Sequence, residues 1–203
     1  MASAHHASPL PVANDTRARI LQGAALLFSE HGYTHGSIRS ITSICGIKGP
    51  SFYHHFHSKE EMTFALLREA AALACAEFSK IPQAAYEGDP KALLDAAIEA
   101  HLRAYFDPGR MLAALVRIYR QLPPELFVAT RQALRPLRNQ WVEVIRIASG
   151  NRFPDPAQAK AISLFLFGAM NAMADWQERP GFAMPLPALL KLFADVLFYG
   201  LRG

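Results

Sequence analysis

Apolar residues recur at helical spacing from Ile20 to the end of the chain, and no stretch sustains the alternation of a strand. Ile20, Ala24, Leu27 and Phe28 fall at i, i+4, i+7 and i+8, one buried stripe of a helix capped by Asp15 or Thr16 and ended by Gly32. Ile38, Ile41 and Ile44 give a second, short helix its apolar face. Cys45 and Gly46 let the chain turn tightly, and Ile47 is placed to plug the core between this helix and the next. Gly49 is an acceptable N-cap, Pro50 has the fixed φ of a first helical position, and Ser51 can hold a free amide or reach outward, so a third helix starts at about Pro50. Ser58 and Glu61 form a capping box that opens a long helix to about Lys80, and Pro82 stops it.

From Asp89-Pro90 onward the pattern predicts five further helices, separated at Asp107-Pro108-Gly109, Pro123-Pro124, Gly150 to Pro156 and Arg179 to Pro187. Pro136 falls inside one of them and predicts a kink or a break. The chain therefore reads as all-α with about nine helices, without repeats. Residues 1–14 show no periodicity and read as a mobile tail, 15–66 as a head, and 67–203 as a larger helical domain, the boundary falling inside the long helix near Phe64 to Leu73.

Ile38 to Phe56, helix, turn at Gly46, helix, has the spacing of a DNA-binding helix-turn-helix. From Thr16 to about Leu67 the chain resembles the amino-terminal domain of the tetracycline-repressor (TetR) family of transcriptional regulators. The shared points are Ile20-Leu21, Ala24-Ala25, Leu27-Phe28, Gly32-Tyr33, Ser37-Ile38, Ile41, Gly46-Ile47, Ser51-Phe52-Tyr53, Phe56 and Ser58-Lys59-Glu60. The resemblance implies that Gly49, Pro50 and Ser51 approach bases, that Tyr53 and His55 hold phosphates, with His54 beside them, and that Arg39 reaches a guanine or the backbone. Lys59 would sit at a helix start beside a phosphate, and Phe52 and Phe56 would be core. The sequence departs from the family pattern at Gly36, where Thr is usual, leaving Ser37 as the cap and as one of the expected DNA contacts, and at Thr42, where Ala is usual. Lys48-Gly49-Pro50 lacks the usual second-position base, for which Lys48 stands in, so an operator sequence does not carry over from relatives.

Charge adds little. The net charge of +4 permits nucleic-acid binding without demonstrating it, and residues 1 to 60 hold five Lys or Arg (Arg17, Arg19, Arg39, Lys48, Lys59) against three acids (Asp15, Glu30, Glu60). Seven of the eight histidines lie in that stretch, all but His101, so this end becomes more cationic in mild acid. Cys45 and Cys75 fit two reduced packing cysteines, and His54 with His57, or His31 with His35, lacks a third ligand for a metal. No nucleophile elbow, phosphate-cradling loop or paired acids point to an enzyme, and neither a cofactor nor a metal is implied. With no apolar run long enough for a bilayer and no secretion-type start, the expected compartment is the cytoplasm.

Ile162 to Met173 and Leu189 to Leu201 are apolar nearly all round, as buried helices or partner-facing ones are. In the resembled family two such helices form a four-helix dimer interface with their twins. Here Ile162, Phe165, Gly168, Ala169, Leu189, Phe193, Val196, Leu197 and Phe198 would provide it. Leu112, Leu115, Val116, Tyr119, Phe127, Leu134, Trp141, Met170, Met173 and Trp176, with Asn171, are enough large side chains to line a ligand cavity or simply to fill a core, and the cavity is what the resemblance implies. Gly168 to Gly181 is similar, through Asn171, Trp176 and Arg179-Pro180-Gly181, to members that sense acyl-CoA or fatty-acid-like effectors. The expected function is a homodimeric repressor released from a pseudo-palindromic operator by a small, largely apolar effector. An activator with the same head, or an all-helical dimeric interaction protein without a specific operator, is the alternative.

Overall fold

The computed structural model describes residues 15–177 and 184–202, and of positions 173–177, 186 and 202 the backbone only. Eleven α-helices and one 3-10 turn make up the described chain, with no strand among the described residues. The expected tail over 1–14 and the Arg179-Pro180-Gly181 stretch lie outside the described residues, as do the side chains of Met173 and Trp176.

The chain divides into two compact units. The first comprises residues up to Leu67 together with Asp107–Phe127, the second Arg68–Phe106 and Val128 onward. Asp107–Phe127 thus groups with the head instead of with its sequence neighbours.

In the first unit, α1 (Thr16–His35) starts at Asp15, whose Oδ1 accepts from the Arg17 N–H at 3.0 Å. Its expected stripe, Ile20, Ala24, Leu27 and Phe28, is buried, with Leu21 and Ala25 beside it. Gly32 breaks the helix as expected, with φ 77° and ψ 177°, a region open in practice only to glycine, before a last turn to His35. α2 (Ile38–Cys45) and α3 (Gly49–Tyr53) follow, then the start of α4 (Lys59–Ser79). α7 (Met111–Ile118) packs along α1 through Leu112, Ala114, Leu115 and Ile118, and the 3-10 turn Tyr119–Gln121 closes against the Gly32 break.

In the second unit, the short α5 (Gln83–Glu87) leads into α6 (Pro90–Tyr105), which packs on α9 (Arg135–Ala148) and α11 (Leu186–Arg202), while α10 (Pro156–Gln177) packs on α9. Phe78, Leu93, Leu94, Ile98, Trp141, Val144, Ile145, Leu166 and Met170 fill its core. α8 (Pro124–Ala133) and α9 are parted at Leu134, because Pro136 has no amide to donate and its ring would strike the carbonyl one turn back. That break and α5 carry the helix count past about nine. No helix among the described residues is long and apolar enough to cross a membrane.

Candidate nucleic-acid interface

The head is built from local caps that fix where each side chain leaves the backbone. Ser37 caps α2, its Oγ accepting from the Ser40 N–H at 3.1 Å and lying 2.8 Å from Ser40 Oγ, so this exposed hydroxyl is engaged in the cap. α2 ends in a left-handed Gly46 at φ 64°, with the Ile47 N–H donating to Thr42 O at 3.0 Å and the Gly46 N–H to Ser43 O at 3.2 Å, two bonds that satisfy its last carbonyls. Arg19 on α1 adds a third, donating from Nη2 to Cys45 O at 2.5 Å, while the Cys45 thiol donates back to Arg19 O at 3.2 Å. A cation at a helix C-terminus opposes its dipole favourably, so Arg19 is spent on the fold. The apolar face of α2 is Ile41 and Cys45, both buried. Ile44, expected on that face, is 41% exposed, since the step to Cys45 completes the seven-residue return from Ile38 and Ile44 falls to one side.

α3 begins one residue earlier than expected. Lys48 occupies the N-cap with φ −87° and ψ 155° and makes no side-chain cap bond, so Gly49 and Pro50 are already helical. Lys48, Gly49 and Pro50 are all exposed, and no atom stands within 4 Å of where a Cβ on Gly49 would lie. Ser51 is half-buried, its N–H closing the first turn onto Lys48 O at 3.0 Å. Beneath, Phe52 and Phe56 are buried with ring centroids 5.9 Å apart, and the Arg17 guanidinium lies 5.3 Å from the Phe56 centroid. Tyr53 is 53% exposed with its ring edge-on to Phe52, His54 and Arg39 are exposed, and His55 is half-buried.

The capping box of α4 forms, Ser58 Oγ accepting from the Glu61 N–H at 3.1 Å and Glu61 Oε2 from the His57 N–H at 2.7 Å. Lys59 is the first residue of α4 and is engaged within the head. Its Nζ donates to Tyr33 O at 2.6 Å and lies 3.9 Å from the Tyr33 ring centroid, and partial burial lowers its pKa against the pull of Glu60. Tyr33 is thus a junction the sequence reading passed over. Its N–H donates to Gln121 Oε1 at 2.8 Å and its hydroxyl to Glu60 Oε1 at 3.3 Å, and burial, then the Glu60 charge, push the phenol up to about 12. The Gly32-Tyr33 pair was the available signal for Tyr33. Gln121 had none.

The remaining candidates separate by unit. Leu112 and Leu115 are buried in the first unit, with Val116, Tyr119 and Phe127 half-buried there and the Tyr119 and Phe127 rings 4.9 Å apart. Leu134, Trp141, Met170 and Asn171 belong to the second unit, Trp141 and Met170 buried. Two open grooves in that unit, one of about 600 Å³ lined by Gln83, Tyr86, Glu143 and Arg146 among others, and one of about 360 Å³ between α6 and α11, include none of these side chains. Of the expected dimer contacts, Phe165 is 70% and Val196 64% exposed and Gly168 is exposed, whereas Ile162, Ala169, Phe193, Leu197 and Phe198 are half-buried. Leu189 is buried in its own unit instead, because α11 turns that position onto the core. Leu164, Leu192 and Tyr199 are exposed and were not foreseen. Cys45 and Cys75 are free thiols, and no three metal-ligating side chains gather among the described residues.

Residues 20–66 match the family described as bacterial regulatory proteins, tetR family, and residues 87–201 the tetracyclin repressor-like C-terminal domain. The HTH-type transcriptional repressor KstR2 of Mycolicibacterium smegmatis is 32% identical over 149 residues, 68% of each chain. KstR2 of Rhodococcus jostii is 25% identical over 202 residues, 95% of this chain and 97% of that one. The crystal structure of PfmR, a TetR family transcriptional regulator from Thermus thermophilus, superposes with a TM-score of 0.69 at 28% identity, covering 89% of this chain and 97% of that one. The carboxy-terminal match alone takes in more than half of the 203 residues, the amino-terminal match takes in the capped helix-turn-helix, and the chain belongs to the TetR family of bacterial regulatory proteins.

Proposed function

We propose that the protein acts as a homodimer whose two heads read a pseudo-palindromic operator and leave it when a small, largely apolar effector binds the larger helical domain. The observation that carries the reading is the exposed start of α3, where Lys48, Gly49 and Pro50 offer an unobstructed backbone above a closed Phe52 and Phe56 core. Such a helix start can approach base edges closely, with Ser51 and Arg39 choosing among them and Tyr53, His55 and Lys48 holding phosphates. Supporting the dimer is the apolar surface that α10 and α11 leave exposed, Leu164, Phe165, Leu192, Val196 and Tyr199. Twofold symmetry then sets the recognition helices about 34 Å apart, or a multiple of one DNA turn.

The switch in this reading runs through α4, which is continuous from Lys59 to Ser79 while the division between the units falls inside it, after Leu67. A rigid helix of this size is about 32 Å long, so a small tilt becomes a displacement of several ångströms at its end. The effector binds the DNA-incompatible arrangement more tightly, and operator DNA must then weaken effector binding by the same factor. Acyl-CoA or fatty-acid-like molecules are the first class to test. Of the arginines that could meet a phosphate, Arg103 lies in the second unit and is paired with Glu99 at 2.6 Å, whereas Arg110, Arg117 and Arg120 fall in the first unit. The test is effector affinity with and without saturating operator, across fatty acyl-CoAs, free fatty acids and aromatic compounds. Weaker binding on DNA supports the switch, and a ligand whose affinity is unchanged on DNA removes it.

A further inference from the structure

The core of the second unit contains a polar pair that its own side chains leave unmatched. His101 on α6 and Trp141 on α9 are 4% and 0% exposed. The imidazole stacks on Phe167 of α10, with centroids 5.4 Å apart and planes at 16°, and meets Trp141 edge-on at 6.1 Å. Trp141 in turn contacts Phe78 at 5.2 Å and Phe167 at 5.7 Å, so the four rings form one aromatic cluster. Within this cluster His101 Nε2 lies 3.4 Å from Asn171 Oδ1, while His101 Nδ1 and Trp141 Nε1 are buried without a hydrogen-bond partner. Buried polar atoms are nearly always paired, so two orphans on touching rings point to a group from outside the chain.

The chemistry of the two nitrogens narrows that group. Burial pushes the His101 pKa down to about 4, so the ring is neutral at neutral pH. With Asn171 Oδ1 accepting from Nε2, the proton sits on Nε2 and Nδ1 presents a lone pair, whereas the indole N–H of Trp141 is a donor only. A hydroxyl donates to the first and accepts from the second. An ether or carbonyl matches the indole alone, and a hydrocarbon matches neither. We propose that His101 Nδ1 and Trp141 Nε1 anchor the hydroxyl of a compact, otherwise apolar effector, an alcohol or phenol, whose body packs among Phe78, Phe167 and Met170. This rests on the proposed binding of an effector in the larger helical domain and adds to it the polar group that the effector carries.

The test uses the full-length protein, labelled with nitrogen-15 at tryptophan, and three small probes: phenol, which donates and accepts; anisole, which accepts only; and benzene, which does neither. The indole N–H signal of Trp141 is assigned with the variant Trp176→Phe. The expected result is a saturable shift of that signal with phenol, at an affinity roughly tenfold tighter than for anisole or benzene, one hydrogen bond's worth of discrimination. His101→Phe should bring the three probes within about twofold of one another while benzene still binds. Equal binding of phenol and benzene to the unaltered protein, or no shift at Trp141, would overturn the proposal, and so would a His101→Phe variant that weakens all three alike. If that variant does not fold, the comparison on the unaltered protein decides. Operator affinity is measured separately. A phenol that binds at Trp141 yet leaves DNA binding unchanged supports the anchor and counts against effector release.

Discussion

Gln121 Oε1 accepts a hydrogen bond from the Tyr33 N–H at 2.8 Å, joining positions 88 residues apart. The same Tyr33 receives Lys59 on its carbonyl and gives its hydroxyl to Glu60, so the 3-10 turn, the break in α1 and the first turn of α4 meet at one residue. Gly32 makes this possible: at φ 77° it exposes the next amide, and a Cβ there would stand 2.8 Å from Gln121 Oε1. Gln121→Ala is expected to lower unfolding stability by about 1 kcal/mol, the net worth of one such bond, and Gly32→Ala by roughly 1–3 kcal/mol from backbone strain. Urea denaturation checks both. Equal and negligible effects would mean that the junction carries no stability.

Changes on the recognition surface should separate into two kinds. Tyr53→Ala and Lys48→Ala remove phosphate contacts and weaken operator and scrambled duplex alike, Lys48→Ala also lowering the slope of log affinity against log salt by about 0.9. Ser51 or Arg39 substitutions should alter which sequence is preferred. Lys59→Ala combines both effects, since its ammonium also holds Tyr33 O. Titrations against both duplexes at two salt concentrations test this, and a Tyr53→Ala protein indistinguishable from the original on both would contradict the docking.

Dimerisation offers a cleaner probe in the structure than in the sequence. Leu197 is half-buried within its own unit, so a charge there disturbs the protomer as well as a partner, whereas Val196 is exposed. Val196→Arg would bury an unpaired ion only in the dimer, at several kcal/mol. Sedimentation should find monomer and gel shift should find no operator complex. A stable Val196→Arg dimer would remove α11 from the interface.

His101 sets a pH dependence of folding. Its pKa is about 4 in the folded chain against 6.5 for the free group, so between those values the unfolded chain binds the extra proton. Stability is therefore fully present above about pH 6.5 and falls toward pH 4, by roughly 3 kcal/mol at about 1.4 kcal/mol per pH unit. His101→Phe should flatten that part of the profile measured by denaturant unfolding. An unchanged slope would assign the acid sensitivity elsewhere.

The parts legible in the sequence are those decided by neighbours. Asp15, Ser37, Gly46 and the Ser58 and Glu61 pair each bond within five residues, and each forms as the local pattern requires. What stayed hidden depends on distant partners. Periodicity marks Leu112, Leu115 and Ile118 as one buried face without saying that α1 covers it, and nothing near Gln121 names Tyr33. Lys59 reads as a phosphate neighbour at a helix start, and nothing near it in sequence names Tyr33 O as its partner. His101 was set apart as the one histidine outside the head, but its burial against Trp141 and Phe167 follows from three helices meeting, which no single window of sequence contains.

The α3 surface is expected to read a specific, twofold-related DNA site. The direct measurement is a nuclease footprint of the purified protein on the DNA flanking its own gene, repeated with Ser51→Ala. The expected result is a protected pseudo-palindrome whose half-sites are centred about 34 Å apart or a multiple of one turn, surviving excess unrelated DNA, and altered in sequence preference by Ser51→Ala. Protection that spreads evenly along the DNA and vanishes with competitor or modest salt would contradict it.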